Sequence, residues 1–489
     1  MDWTVKAQNG IFTTELKEVS CFRSIPYAES TAGKNRWNYP LPKEYQGEKE
    51  VKEMGNICPQ ETRGYPKGED CLNLTIWTKK GWKKKPVFLF IHGGSFVAGS
   101  SQDPNLDGEI LVDREEFVMV SINYRLGVFG FVDFSFLGEE FKRNPGFYDA
   151  AEALRWVYHN IEAFGGDPKK IVIAGQSAGG TIVSALLTVE EINKYIYKAV
   201  ILSGVPTGIH TCEASEEVGR KYLEYMNITT KEELRNLTQR QIADSQMPFS
   251  KKTGYGINTY QLAIDNYYIK EPPIQAIDNI LKRIPLLMGS TKGEIDSIKY
   301  PYILDQWNLK DTLSYLKKLE EGSRKERNKL YWKKYGLRWK DRYYSDLVIR
   351  IPGIWYGEKY SEKNPLWYYR FDYVWTLPLL GLMGAYHSSE LNYLFSSYDW
   401  ILGGKFRLPW DKKNGDIVSR NFQNIIGDFV YDRKLKWNPW EEDFPYLSIG
   451  KKQKELYFSK KIIDSWKTGG YYKIAHDPNV CSNTSAMLK

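Results

Sequence analysis

The chain has 489 residues, 42% of them hydrophobic and 26% charged, a mixture that buries a large core and excludes disorder as the main state. Its net charge of +8 is spread along the length; the densest basic stretch, Lys317 to Lys340, interleaves Glu320, Glu321 and Glu326 as a solvated helix face would, and no nucleic-acid-binding motif accompanies it, so nucleic acid is not an expected partner. No run of about 18 apolar residues is present to span a membrane, and Met1 to Leu16 lacks a basic start followed by an apolar stretch, so the expectation is a cytoplasmic protein or a mature secreted form.

Five cysteines (Cys21, Cys58, Cys71, Cys212, Cys481) form no CxxC pair and the five histidines are scattered, so neither a metal nor another cofactor is expected. Cys58 and Cys71 lie close enough in sequence to close a small loop as a disulfide, or to remain two thiols.

No repeat, Gly/Ser linker or low-complexity tract divides the chain, which therefore reads as a single domain over 1–489 with insertions. Val87 to Ile91 (VFLFI), Phe117 to Ile122 (FVMVSI) and Ile171 to Ala174 (IVIA) are short apolar, β-branched runs that suit a sheet buried on both faces. Between the last two, Ala151, Leu154, Val157, Tyr158 and Ile161 recur at helical spacing within Tyr148 to Phe164. Strand, helix and strand in that order predict right-handed crossovers and a mostly parallel α/β sheet with helices on both faces. Ala199 to Ser203, Ile284 to Met288 and Trp367 to Tyr373 continue the strand pattern. Longer helical stretches such as Asp311 to Leu330 predict a helical cap, placed mainly in 205–280 and 300–365.

Directly after the IVIA strand stands Gly175-Gln176-Ser177-Ala178-Gly179, a G-x-S-x-G. A serine at a sharp strand-to-helix turn needs strained backbone angles, and flanking glycines remove the side chains that would clash there. The following helix, Gly179 to Leu187, points its positive end at the reacting centre. Ser177 is therefore the candidate nucleophile. Its base should follow it in the chain, which leaves His387 and His476, with His210 a poor third. Small residues flank His387, whereas His476 lies in the last fourteen residues and reads as a surface group. The acid should fall between Ser177 and His387 after a strand end, where Glu294 fits and Asp296 is its rival. After the VFLFI strand, His92-Gly93-Gly94-Ser95 lets backbone amides converge. With Ala178, those of Gly94 and Ser95 would form an oxyanion hole.

These residues belong to a wider series. Ser24 to Glu29 (SIPYAE), Glu69 to Leu74 (EDCLNL), Asn123 to Gly127 (NYRLG) and Phe164 to Pro168 (FGGDP) resemble, in order, the signatures of type-B carboxylesterases and cholinesterases. The resemblance covers nearly the whole chain. It implies an α/β-hydrolase fold and a Ser, Glu, His triad that falls on Ser177, Glu294 and His387, with Gly94, Ser95 and Ala178 on the oxyanion amides. It also places Cys58 and Cys71 on the first disulfide of the secreted members. The implied activity is hydrolysis of a small-molecule carboxylic ester through an acyl-enzyme. Three departures stand out: Gln176 replaces the usual Glu before the nucleophile, Gly293 and Ile295 replace the Asp and Gly around the triad acid, and the Cys58–Cys71 loop holds no Trp. Without that anion and that ring, a cationic choline ester is not the expected substrate. An adhesion protein of the neuroligin kind and an amide or carbamate hydrolase are the alternatives the resemblance leaves, and no oligomeric state is implied.

Overall fold

The computed structural model describes all residues except 63, 281, 297–309, 312, 315–316, 318–323, 375–384, 398–408, 442, 469 and 477–489. Cys481, Gly384 and parts of the expected cap over 300–365 therefore lie outside the described residues.

The chain opens with a hairpin of β1 (Asp2–Ala7) and β2 (Gly10–Glu15), passes through β3 (Ser20–Pro26), and returns as β4 (Glu48–Glu50) alongside β2. Then come β5 (Asn73–Thr78), β6 (Lys85–Ile91), β7 (Val118–Ile122), β8 (Gly166–Gln176) and β9 (Lys198–Leu202). A two-residue pair, β10 (Ile209–His210) and β11 (Leu262–Ala263), precedes β12 (Leu286–Thr291), β13 (Leu366–Phe371), β14 (Pro445–Ile449) and β15 (Lys454–Tyr457).

One sheet of ten strands runs in the order β15-β14-β13-β12-β9-β8-β6-β7-β5-β3. From β14 through β7 all neighbours are parallel, while β15 pairs antiparallel with β14 at one edge, and at the other β5 pairs antiparallel with both β7 and β3. The alternating side chains of a strand face opposite sides, and both sides here are apolar. In β6, Val87, Leu89 and Ile91 join one core while Phe88 and Phe90 join the other. In β8, Ile171 and Ile173 join the first core while Val172 and Ala174 join the second. The first core is covered by the helices Pro145–Asn160 and Ala178–Leu186, and the second by Glu109–Glu115 and Pro409–Val430. This two-sided cover is why the central strands lack polar alternation.

The strand expected over Ile284 to Met288 runs from Leu286 instead, because its pairing begins where Leu286 meets both Leu366 of β13 and Ala199 of β9. Between β9 and β12 lie the helices Cys212–Tyr225, Lys231–Asn236 and Gln239–Thr253, and before β13 lie Arg324–Tyr335, Trp339–Ser345 and Ile351–Ser361. Of the helical stretch expected over Asp311 to Leu330, residues 312, 315–316 and 318–323 lie outside the described residues. No described helix is long and apolar enough to cross a membrane.

Candidate active site

Parallel strands in register bring their carboxyl ends to one edge, the usual location of a ligand crevice in such sheets. Gly175 of β8 pairs with Ile91 of β6, and Gln176 pairs with Leu202 of β9. The Ser177 N–H donates to the Leu202 carbonyl at 2.8 Å, and the Ser203 N–H donates to Gly289 of β12 at 2.8 Å. The residues just past β6, β8 and β9 therefore stand at one level, beside Gly289 of β12. Ser177 itself has φ 54° and ψ −120°, a conformation costly for any side-chain-bearing residue and held here by the turn from β8 into the helix Ala178–Leu186. That turn demands Gly179, where a Cβ would lie 2.1 Å from the Ile91 carbonyl oxygen.

Past β12, the chain turns so that Glu294 points back under the edge. Its side chain is fully buried, and Oε1 accepts from the Ser203 hydroxyl at 2.7 Å and from the Thr291 N–H at 2.6 Å. The other oxygen, Oε2, lies 2.6 Å from Nδ1 of His387, whose Nε2 lies 2.9 Å from Ser177 Oγ. Backbone bonds fix this alignment: the Gly293 N–H donates to Ala385 at 2.9 Å, and the His387 N–H donates to the Glu294 carbonyl at 3.2 Å. Burial works against a charged imidazole, but the hydrogen bond and the charge of Glu294 outweigh it and hold His387 above its ordinary pKa. Burial likewise opposes ionisation of Glu294, and His387, Ser203 and the Thr291 amide together overcome it and hold the carboxyl below its usual range. The result is an ionised carboxylate against an imidazole whose other nitrogen reaches the Ser177 hydroxyl.

The loop after β6 adds backbone donors. Gly94 has φ +114°, and a Cβ there would lie 2.0 Å from the Ala98 carbonyl oxygen, so only glycine fits. Its carbonyl accepts the Val97 and Ala98 amides at 3.0 Å each. The amides of Gly94, Ser95 and Ala178 donate to no group among the described residues, as donors kept for a substrate oxygen would.

Two neighbours escaped the sequence reading. Ser203 is the hydroxyl that supports Glu294, and it also lies 3.3 Å from Glu390 Oε1. Its position just past a central strand, as Ser177 is past the next, is the signal that could have found it. Glu390 is fully buried, and burial together with the Glu294 charge pushes its pKa up to about 8. It is a carboxyl that keeps its proton beside one that does not. Gln176 Nε2, meanwhile, lies 3.3 Å from Nε2 of His387. A cleft of about 600 Å³ opens beside this group, lined among others by Gln176, Gly93, Gly94, Tyr386, Ser388 and Asn392.

The rival residues lie elsewhere. Asp296 faces Arg342, 3.6 Å away. His476 packs on Tyr472 and Trp355, and His210 sits on β10, where burial pulls its pKa down to about 4. His92 stacks on Tyr124 at 4.5 Å, and burial takes it down to about 4 as well, so it stays neutral. The bridge between Cys58 and Cys71 is not formed: both are buried free thiols. The hydrogen bond between Cys71 and Cys58, together with burial, holds the Cys71 thiol well above its ordinary pKa. The Leu126 N–H donates to Cys58 Sγ at 3.2 Å.

Residues 7–466 match the model of the carboxylesterase family. The chain belongs to this family. The para-nitrobenzyl esterase of Bacillus subtilis is 31% identical over 406 residues, covering 80% of this chain and 81% of that one. The phenmedipham hydrolase of Pseudarthrobacter oxydans is 27% identical over 475 residues, covering 88% and 90%. A solved PNB esterase structure superposes with a TM-score of 0.83 at 26% identity, over 95% of this chain and 99% of that one. The fold of this carboxylesterase is thus the α/β-hydrolase fold, and the protein is a carboxylic-ester hydrolase acting on small-molecule esters.

Proposed function

We propose that this carboxylesterase works as a serine hydrolase, through an acyl-enzyme on Ser177. The observation that carries the reading is the unbroken line Ser177 Oγ, His387, Glu294, with contacts of 2.9 and 2.6 Å. His387 Nε2 takes the proton as Oγ attacks the ester carbonyl carbon. The carbonyl oxygen gains the negative charge and meets the amides of Gly94, Ser95 and Ala178, each worth about 3 kcal/mol in the transition state. Glu294 stabilises the imidazolium and fixes its tautomer. As the intermediate collapses, the bond to the alcohol oxygen breaks and His387 Nε2 delivers its proton to that oxygen. Water, activated by the same nitrogen, then attacks the acyl carbon, releases the carboxylic acid and restores Oγ–H.

Hydrolysis of short and medium p-nitrophenyl esters by wild type, Ser177→Ala and His387→Ala tests this. Each variant is expected to lose kcat by about 10⁴-fold or more, and the double variant to lose little beyond either. Turnover in either single variant within about tenfold of wild type would rule out the proposed nucleophile or base.

A further inference from the structure

The helix Arg324–Tyr335 and the turn Gly336–Arg338 after it carry charge the catalytic site does not use. One face of the helix is anchored: Arg327 lies over the Trp466 ring at 4.5 Å, and the Tyr331 hydroxyl accepts from Trp466 Nε1 at 2.9 Å. Lys325, Lys329, Trp332 and Lys333 occupy the opposite face, since positions four, seven and eight apart share one side of a helix. Lys334, Arg338 and Lys340 extend the charge, and the segment's one acid is Glu326. Among the described residues none of these six cations forms an ion pair. Like charges four residues apart on a helix repel, so the row is an unfavourable arrangement until a counter-charge arrives. Amid it, Trp332 is 54% exposed and Leu337 92% exposed.

We propose that the face formed by Lys325, Lys329, Trp332, Lys333, Leu337 and Arg338 docks this carboxylesterase on an anionic membrane surface. The ammonium and guanidinium groups meet the lipid phosphates, and the indole and the leucine enter the boundary between headgroups and acyl chains. Charge complementarity selects an anionic partner. The exposed apolar pair selects a bilayer over a nucleic acid, whose phosphate wall would leave Leu337 without an apolar environment. The patch also adjoins the catalytic edge. Past Lys340 the chain continues to Arg342 and Arg350, which both donate to the Lys292 carbonyl, two residues before Glu294.

The test is co-sedimentation of the full chain with vesicles of phosphatidylcholine alone and of phosphatidylcholine mixed with phosphatidylglycerol. It reads binding and is independent of the reaction mechanism. Wild type should bind the phosphatidylglycerol vesicles about tenfold or more tightly than the neutral ones and release in high salt. The Lys329→Glu/Lys333→Glu variant should lose about tenfold or more, and Trp332→Ser/Leu337→Ser about fivefold or more. Lys451→Glu/Lys452→Glu, an exposed pair elsewhere, should bind as wild type does. All variants should retain hydrolysis of a soluble ester, which reports that they fold. Absence of binding to phosphatidylglycerol vesicles overturns the proposal, as does equal loss in the Lys451/Lys452 variant. Heparin or single-stranded DNA bound as tightly as vesicles, with no effect of Trp332→Ser/Leu337→Ser, would show a general polyanion patch and overturn it too.

Discussion

The Gln176 carboxamide stands 3.3 Å from Nε2 of His387, the nitrogen that Ser177 Oγ reaches at 2.9 Å. The residue before Ser177 thus touches the atom that carries the proton in the proposed mechanism. A neutral amide adds no net charge beside the imidazolium, whereas a carboxylate there would favour it.

Replacing Gln176 by Glu should therefore raise the His387 pKa beyond its already elevated value. The proposed mechanism needs the neutral imidazole, so the acid limb of kcat/KM should move to higher pH by about one unit. Esters of cationic alcohols should gain relative to neutral ones in the same assay. An unmoved acid limb in Gln176→Glu would show that the contact has no electrostatic weight.

Ser203 supports the Glu294 carboxylate. Its hydroxyl is one of two donors to Glu294 Oε1, the other being the Thr291 N–H. Ser203→Ala leaves a buried carboxylate oxygen short of one charge-assisted bond, which costs about 1 to 3 kcal/mol of stability. The loosened carboxylate holds His387 less firmly, so kcat should fall about tenfold with KM little changed. Urea unfolding and steady-state kinetics on one preparation check both halves.

The central strands and the nucleophile turn were legible because each is local: an apolar run, or five residues around Ser177. The antiparallel edges were not, since β3 and β5 pair by a register with a shift between Phe22 and Ile25 that no periodicity records. Ser203 and Glu390 escaped for a related reason. Their roles arise from neighbours across strands, as when the Ser177 amide meets Leu202 beside Ser203, and contact of that kind is set by sheet order rather than by spacing. The two thiols were ambiguous from the start, because closeness in sequence does not fix whether sulphurs bond.

Gly94 offers a probe of the proposed oxyanion loop that leaves every side chain of the site intact. At φ +114° and 2.0 Å from the Ala98 oxygen, a methyl group forces the loop to move. Gly94→Ala should lower kcat by about 10² to 10³, the scale of losing one donor. Circular dichroism should show the sheet preserved. Wild-type kcat in this variant would mean that the amides of the loop do not serve the transition state.

Glu390 gives the pH dependence of stability its sign. Burial first, and then the charge of Glu294, raise its pKa from 4.5 to about 8. Between those values the folded protein holds a proton that the unfolded chain releases, so the contribution of Glu390 to stability is full below about 4.5 and is lost as pH rises through about 8. Glu390→Gln keeps the shape and removes the titration. Its urea midpoint should change less than that of wild type as pH is raised from about 5 to about 9. The same variant should hold kcat on the alkaline side, where wild type acquires a second anion next to the Glu294–His387 pair and the imidazolium becomes harder to discharge. Parallel pH profiles of wild type and Glu390→Gln, in both stability and kcat, would show that Glu390 is already ionised at neutral pH and plays no part in either.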